Sequence, residues 1–558
     1  MSKAQTLAST VSTGGVLADG TVAYAEVTGT PTNSATATSI AGGSAGTIPY
    51  QSAANTTAML AVGTAGQVLQ TNGAGAPTWV DAGGGSQVDF VASGTIGNGA
   101  TVILNNDGTV SVIAAIEGIT VGTPAVFESA TSNYISATFD TNSNKVVIAY
   151  MDAGNSNYGT AAVGTVSGTS ISFGTPVVYS SSVYAQFSVA TFDSNSDKVV
   201  IAYYDGGNSG YGTAIVGTVS GTSITFGTKV VFDSSSTTAI SITFDSTNNK
   251  VVIVYSDGNN GTSGTAIVGT VSGTAISFGT SAVFNQNTDK TVVTFDSNSN
   301  KVVIAFRDVT GSYYLAAIVG TVSGTSISFG SKVVFETSAF SDSLSTVFDS
   351  TNNKIVIAYS DAGNSNYGTA IVGTVSGTSI SFGTPVVFDN SGATSYTAVT
   401  HDTYSGKTVV FYRDGGNSGH GTAIVGTVSG TGATGTISFT SPTVFESANT
   451  NYIAATFDTA NNTTVIAYKD SGNSSYGTAI TFATKSSNFA SFIGISDAAI
   501  SDTATGSVTI KGGVSTNVTS LTPATDYYVQ ADGSISATVS AVPAGKALSA
   551  TSILLKGI

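Results

Sequence analysis

Short apolar runs of the VVIAY type return at regular intervals along the chain, separated by turns of Asn, Asp, Ser and Gly. Residues 170–221 show one full cycle: SISFGTPVVY, then QFSVATFD, KVVIAYYD and GTAIVGTVSG. Each segment is of strand length, rich in β-branched and aromatic residues, and bounded by turn formers, which predicts four antiparallel strands. The VVIAY run carries apolar side chains on both faces of the pleat, so this strand needs cover on both sides. The segment that holds Pro124, Pro176, Pro385 and Pro442 in different cycles belongs at the outer edge, because proline removes a ladder donor. That leaves the Ala-, Ser- and Thr-rich segment ending in Phe-Asp as the innermost strand.

An aspartate closes each inner segment or its counterpart, at Asp140, Asp193, Asp245, Asp296, Asp349, Asp402 and Asp458, with spacings of 53, 52, 51, 53, 53 and 56 residues. A period of this size filled with short strands is the mark of radial or stacked repeats, in which no unit buries its apolar surface alone. The fold class expected is all-β, a seven-bladed β-propeller of four-stranded blades; a linear solenoid is the structural alternative. ITVGTPAVF at residues 119–127 is an outer-type strand with no cycle before it, while the seventh cycle ends near Lys485 without an outer strand. The N-terminal strand is therefore expected to complete the last blade, which would remove two exposed sheet edges.

Composition narrows the partners. The 558 residues include 17 Lys and Arg against 32 Asp and Glu, a formal charge of −15. The arginines are Arg307 and Arg413 alone, and phosphate contacts need clustered basic side chains, so no nucleic-acid partner is expected. An anionic membrane surface is disfavoured on the same ground. With no cysteine, disulfides and thiolate metal sites are excluded. The start MSKAQTLASTVSTGG lacks a signal-type apolar core, and no run of about 18 apolar residues occurs; the chain is expected to be made soluble, without membrane insertion.

The flanks carry a resemblance. Residues 46–80 read GTIPYQSAANTTAMLAVGTAGQVLQTNGAGAPTWV, and the order G-x-I-P-Y-Q-S-A, L-x-x-G-T-x-G-Q-V-L, A-P-x-W resembles the attachment and shaft motif of bacteriophage tail fibres. GISDAAISDTATGSVTIKGGVSTNVTSLTPATDYYVQADGSIS at 494–536 and AGKALSATSILL at 544–555 resemble a β-rich domain of phage fibre and virion-appendage proteins. VDFVASGTIGNGATVILNNDGTVSVI at 88–113 is similar to the segment that often precedes that domain. The organisation implied is an extended virion attachment and shaft segment at 1–87, a β segment at 88–118 pairing with a small β-rich C-terminal domain at 486–558, and the propeller inserted at 119–485. The resemblance further implies a virion structural protein, exposed on the particle after synthesis in the host cytoplasm. It would be joined to other virion proteins through its N-terminal segment and would be a homo-oligomer, a trimer being most usual for fibres.

Catalysis and metal binding find little to use. The loop DAGNSNYG from Asp152 recurs from Asp205, Asp361, Asp414 and Asp470 with small changes. It faintly resembles the Asp-box hairpin of sialidase-type propellers, but the upstream Ser or Thr is usually missing and the aromatic lies further on. Two arginines cannot supply the arginine triad of those enzymes, so that activity is excluded; the plain reading is an Asx turn. DTNSNK at 140–145 and DSNSNK at 296–301 have oxygen-bearing residues at calcium-loop spacing, without the closing carboxylate or central glycine such loops use. No metal and no cofactor is assigned. His401 and His420 occupy positions where sibling repeats carry Phe or Tyr, and the acids recur by repeat rather than as one pair, so no catalytic residue is named and no enzyme is expected.

Strand alternation sorts the loops onto two faces. The face holding the outer-to-inner connections and the Asp-Gly-Asn-Ser-Tyr loops is the variable one: ESATSN at 128–133, SSSVYAQ at 180–186, NQNTDK at 285–290, ETSAFSDS at 336–343 and DNSGATSY at 389–396. It also gathers Tyr134, Tyr158, Tyr184, Tyr211, Tyr367, Tyr396, Tyr452 and Tyr476, with His420 at one such position. These rings are candidates for receptor binding, since tyrosine offers a flat apolar face and a hydroxyl; packing between blades is the plain alternative. The expectation is a tail fibre or similar appendage that binds a host surface glycan or protein, with a virion-borne glycan depolymerase or a purely structural collar fibre as alternatives.

Overall fold

The computed structural model describes residues 44, 47–53, 56–64, 67–71, 76–81, 87–105, 107–113, 118–310, 313–337, 343–430, 435–485, 491–530, 533–540 and 542–556. The N-terminal stretch 1–43 and the centre of the 336–343 loop lie outside the described residues. Regular structure among them is β-strand with short 3-10 turns, so the fold is all-β. Two compact units divide the chain: Met1–Val112 with Ser491–Gln530 and Ser534–Ile558, and Ile113–Ala490 with Ala531–Gly533.

The first unit contains two hairpins, Ile48–Ala53 with Thr56–Leu60 and Gln67–Gln70 with Thr78–Asp81. Trp79 of the second donates its indole N–H to the carbonyl of Ala61 at 2.6 Å. A five-stranded sheet then runs in the order Gln87–Val91, Thr505–Ile510, Phe492–Ser496, Thr101–Leu104, Val110–Val112. Segments that bracket the repeats in sequence thus share one sheet, with Val88 opposite Val508 and Ile103 opposite Phe492. A second five-stranded sheet is made wholly from residues from Val514 onward.

The second unit holds the repeats. In the second of them Ala185–Asp193 pairs with Lys198–Asp205, which pairs with Tyr211–Ser220. The outer edge is covered in two pieces, Ser223–Phe226 and the start of Val230–Asp245. Val199, Val200, Ile201, Ala202 and Tyr203 of the second strand have no measurable exposure. Their alternate side chains enter different cores: Val199, Ile201 and Tyr203 pack with Val147 and Ala149 of the preceding repeat, Val200 and Ala202 with Ile253 and Tyr255 of the following one. Each core is therefore shared by successive repeats. Inner strands contact their neighbours in sequence, and the first of them, Ala125–Asp140, contacts the last, Thr443–Asp458.

At the other end of the repeats, Gly118–Val121 pairs with the last strand Tyr476–Lys485, Ile119 opposite Thr484, and Ala125 and Val126 stand opposite Ala479 and Thr478. Phe127, 4% exposed, packs against Tyr150 and Phe173 with ring centroids 5.0 and 5.7 Å away.

One of the predicted loops is corrected. Residues 128–133 are not a loop but the middle of the 16-residue strand Ala125–Asp140, and residues 230–245 and 443–458 form equivalent 16-residue strands. The extended chain is held on both sides: Thr131 lies opposite Tyr476 of one repeat and Ser132 opposite Asp152 of the next. Polar composition suggests a turn, but pairing with two repeats holds the segment extended, with bulges. The anchoring aspartates are turn caps. Asp140 Oδ1 accepts the amides of Asn142 and Ser143 at 2.9 and 3.0 Å, and Asp193 and Asp458 repeat the arrangement.

His401 stands where sibling repeats carry Phe and is 6% exposed, its Nε2 3.1 Å from Thr351 Oγ1 and 3.5 Å from Asp349 Oδ1. Burial lowers its pKa below the ordinary value of 6.5, outweighing the pull of Asp349 and Asp402. A histidine held neutral in the fold takes up its proton more readily when unfolded, so stability is complete above pH 6.5 and falls as acid is added below it.

Two outcomes follow. Phe127→Ala should cost about 3–5 kcal/mol in chemical denaturation, against a loss of less than ~1 kcal/mol for Val126→Ala, whose side chain is 44% exposed. His401→Phe should flatten the decline of melting temperature between about pH 6.5 and pH 5 relative to the parent chain; an unchanged slope would show that His401 is not its source.

Candidate functional site

Six residues before each anchoring aspartate stand Tyr134, Phe187, Ala239, Lys290, Ser343, Tyr396 and Tyr452. Five of them have left-handed backbone: Tyr134 at φ 51°, Phe187 at 52°, Ala239 at 49°, Tyr396 at 51° and Tyr452 at 50°. Each sits where the inner strand slips register against the second strand, a β-bulge. Left-handed backbone costs a non-glycine residue of order 1–3 kcal/mol and persists where surrounding structure enforces it. A bulge re-aims the side chain that it carries. Here it turns an aromatic ring out of the strand in four of the repeats.

The rings meet. Tyr396 lies 5.4 Å from Tyr452, Tyr452 5.3 Å from Tyr134, and Tyr134 5.0 Å from Phe187, all in tilted geometry; Phe187 is 6.4 Å edge-on from Tyr204. Inner strands of successive repeats, with the last leading back to the first, thus carry one continuous aromatic arc. Burial, reinforced by the neighbouring phenols, raises the pKa of Tyr134 and Tyr452, so both hydroxyls stay protonated as donors. Beside the arc, a cavity of about 490 Å³ is bounded by Tyr134, Phe187, Ala239, Lys290, Arg307 and Leu344.

One strand further out, the residue before each loop aspartate is Met151, Tyr204, Ser256, Arg307, Ser360, Arg413 or Lys469. Both arginines of the chain occupy this single position in the repeat. Arg307 forms a two-pronged ion pair with Asp289, Nε to Oδ1 at 2.6 Å and Nη2 to Oδ2, and lies 5.8 Å from the Tyr313 ring. Arg413 donates from Nε to Asn449 Oδ1 at 2.9 Å and from Nη1 to Ser395 Oγ at 3.4 Å. Lys469 donates to Asn133 Oδ1 at 3.0 Å and stands 5.7 Å from the Tyr452 ring.

The structure sorts the sequence candidates. Tyr134, Tyr396 and Tyr452 come together in the arc. Tyr158, Tyr211, Tyr367, His420 and Tyr476 each open the third strand of their own repeat and are half-buried, one per repeat, outside the arc. Tyr184 is half exposed in a connection, at φ 63°. Phe187, Tyr204, Arg413 and Lys469 were missed; aligning the repeats on their aspartates finds all four. The Asp152 loop is a turn, its Oδ1 accepting the amides of Gly154 and Asn155 at 2.8 and 3.2 Å. Among the described residues no group of three or more His, Asp or Glu side chains is placed to hold a metal ion.

The bulge makes its own forecast. Ala239 carries left-handed backbone without a ring to justify it, so Ala239→Gly should raise stability by up to about 1 kcal/mol, read as a higher melting temperature. A lower one would mean that the bulge is unstrained.

No family model matches the chain, and the search of curated proteins found no match. Among solved structures the chain is similar to the BP39L lectin from Burkholderia pseudomallei, at 11% identity and a TM-score of 0.45, over 65% of this chain and 98% of that one. It is similar to the SapL1 lectin in complex with alpha methyl fucoside, at 14% identity and a TM-score of 0.35, over 56% and 96% of the two chains. Drosophila Semaphorin 1b, extracellular domains 1-2, is similar at 10% identity and a TM-score of 0.39, over 65% and 87%. With every score below 0.5, neither the fucoside nor any other partner is carried over from these proteins to this chain.

Proposed function

We propose that residues 119–485 form a seven-bladed β-propeller closed by its own N-terminal strand, and that the protein is a bacteriophage virion appendage that binds a host surface glycan at the aromatic mouth of this propeller. The observation that carries the binding claim is the set of left-handed bulges that hold Tyr134, Phe187, Tyr396 and Tyr452 in one arc beside a cavity. A frame that keeps bulky residues in a costly backbone conformation, at corresponding places in different repeats, points to use of the side chains so aimed. Flat rings bearing hydroxyls suit pyranose faces and their hydroxyl groups.

Closure is supported by the pairing of Gly118–Val121 with Tyr476–Lys485 and by the contact of the first and last inner strands. The virion assignment rests on the fibre-like motifs at 46–80, 88–113 and 494–555. In this reading the N-terminal segment joins other virion proteins, the chain is a trimer, and the particle displays many copies whose weak sites combine through avidity.

Purified protein should compete with intact particles for adsorption to the host bacterium, and antibody labelling in the electron microscope should place it on the particle. Tyr134→Ala with Tyr452→Ala should weaken this competition about ten-fold or more, since each ring contributes roughly 0.5–1.5 kcal/mol, and a melting curve of the variant separates this from the stability lost with the ring contacts to Tyr396 and Phe187. Full competition by the double variant would refute the mouth as the binding surface.

A further inference from the structure

Cations are scarce in this chain, 17 among 558 residues, and several are neutralised where they stand. Lys229 pairs with Asp205 at 2.8 Å, Lys332 pairs with Asp308, and Arg307 pairs with Asp289. Arg413 and Lys469 differ. They occupy the same repeat position in successive repeats, at the two-ring end of the arc formed by Tyr396 and Tyr452, and neither forms an ion pair among the described residues. Their partners are neutral: Asn449 and Ser395 for the guanidinium, Asn133 for the ammonium. The carboxylates next to them in sequence are committed elsewhere. Asp414 and Asp470 are 6% and 7% exposed, and their Oδ1 atoms accept loop amides, Asn417 in one case and Gly472 and Asn473 in the other.

Folding therefore holds Lys469 5.7 Å from the Tyr452 ring and ties Arg413 to Ser395, the residue before Tyr396, in a chain of net charge −15, and among the described residues neither has a carboxylate counter-ion. Desolvation lowers the Lys469 pKa, and no carboxylate offsets it. Neutral hydrogen bonds orient both groups without spending their charge, which is how a site prepares for an anion from outside. A planar guanidinium suits a carboxylate held edge-on, and the adjoining rings suit the sugar that bears it.

Resting on the glycan-binding reading above, we propose that Arg413 and Lys469, with Tyr396, Tyr452 and Tyr134, form a subsite for a carboxylate-bearing saccharide. The acidic sugar stacks on the rings and its carboxylate takes the place of the missing counter-ion. At the cavity itself Arg307 is offset by Asp289, while Lys290 keeps its charge.

The test is calorimetric titration of the full chain with three probes: hexagalacturonate, sialyllactose and neutral maltohexaose. At least one acidic probe should bind more tightly than maltohexaose by about ten-fold at low salt, with the advantage shrinking as sodium chloride is raised. Arg413→Gln with Lys469→Gln should remove that advantage, while the conservative Arg413→Lys with Lys469→Arg keeps part of it. Lys198→Gln with Lys250→Gln, which changes net charge equally but at the turns following the inner strands, should leave binding as it was. Equal binding of acidic and neutral probes, or an advantage that survives the Gln double variant, overturns the subsite and leaves glycan binding standing. Failure of every probe, together with loss of competition for host adsorption, overturns both. A melting curve for each variant separates lost binding from lost fold.

Discussion

Everything in the repeat unit depends on burying both faces of one strand. Val199 to Tyr203 and their counterparts carry apolar side chains on either side of the pleat, and at roughly 25 cal/mol per Å² no sheet can leave such a face in water. One sheet therefore needs another on each side, and its neighbours have the same need. The cores between successive repeats are the result, with alternate residues of a single strand belonging to different clusters. A stack built this way has two raw ends. The proposed closure removes them by setting the first inner strand against the last and giving the last repeat an outer strand from the segment just before the first repeat.

That arrangement brings the inner strands together, and it is there that the repeats stop agreeing. The turns capped by Asp140 and its counterparts perform one task, accepting loop amides, and vary little. Where the bulge forms, its position holds Tyr, Phe or Ala, and the two repeats without left-handed backbone there carry Lys290 or Ser343. Since the backbone there is dictated by register rather than by side chain, the residue is free to serve recognition. The same logic applies one strand outward, where Met, Tyr, Ser, Arg and Lys alternate at a single position. A frame of near-identical sheets thus carries an aromatic arc, with Arg413 and Lys469 one strand outward.

Much of this was legible in the sequence where local chemistry dictates the outcome. Turn-capping aspartates announce themselves by the Asn, Ser and Lys that follow, doubly apolar runs can only be sandwiched, and prolines mark the outer strand. The mouth was legible only in part. Residue type alone mixes Tyr134, Tyr396 and Tyr452 with Tyr158, Tyr211, Tyr367 and Tyr476, which lie outside the arc, and passes over Phe187. Nothing local signals the bulge, because it arises from an extra residue between two fixed pairings. Likewise the number of arginines does not reveal their shared place in the repeat. ESATSN misled for a related reason: polar residues look like a turn until two neighbouring sheets are seen to pair with them.

Because the chain has no cysteine, closure can be read by a single engineered pair. Thr120 and Ala483 are facing partners of the joined strands, and antiparallel partners lie about 4.5–5.5 Å apart, within the range that a disulfide spans. Thr120→Cys with Ala483→Cys should oxidise to an intramolecular bond, seen as loss of free thiol and a linked peptide by mass spectrometry, with no dimer formed. Two persistently free thiols, or links only between chains, would contradict a ring held shut by its own first strand.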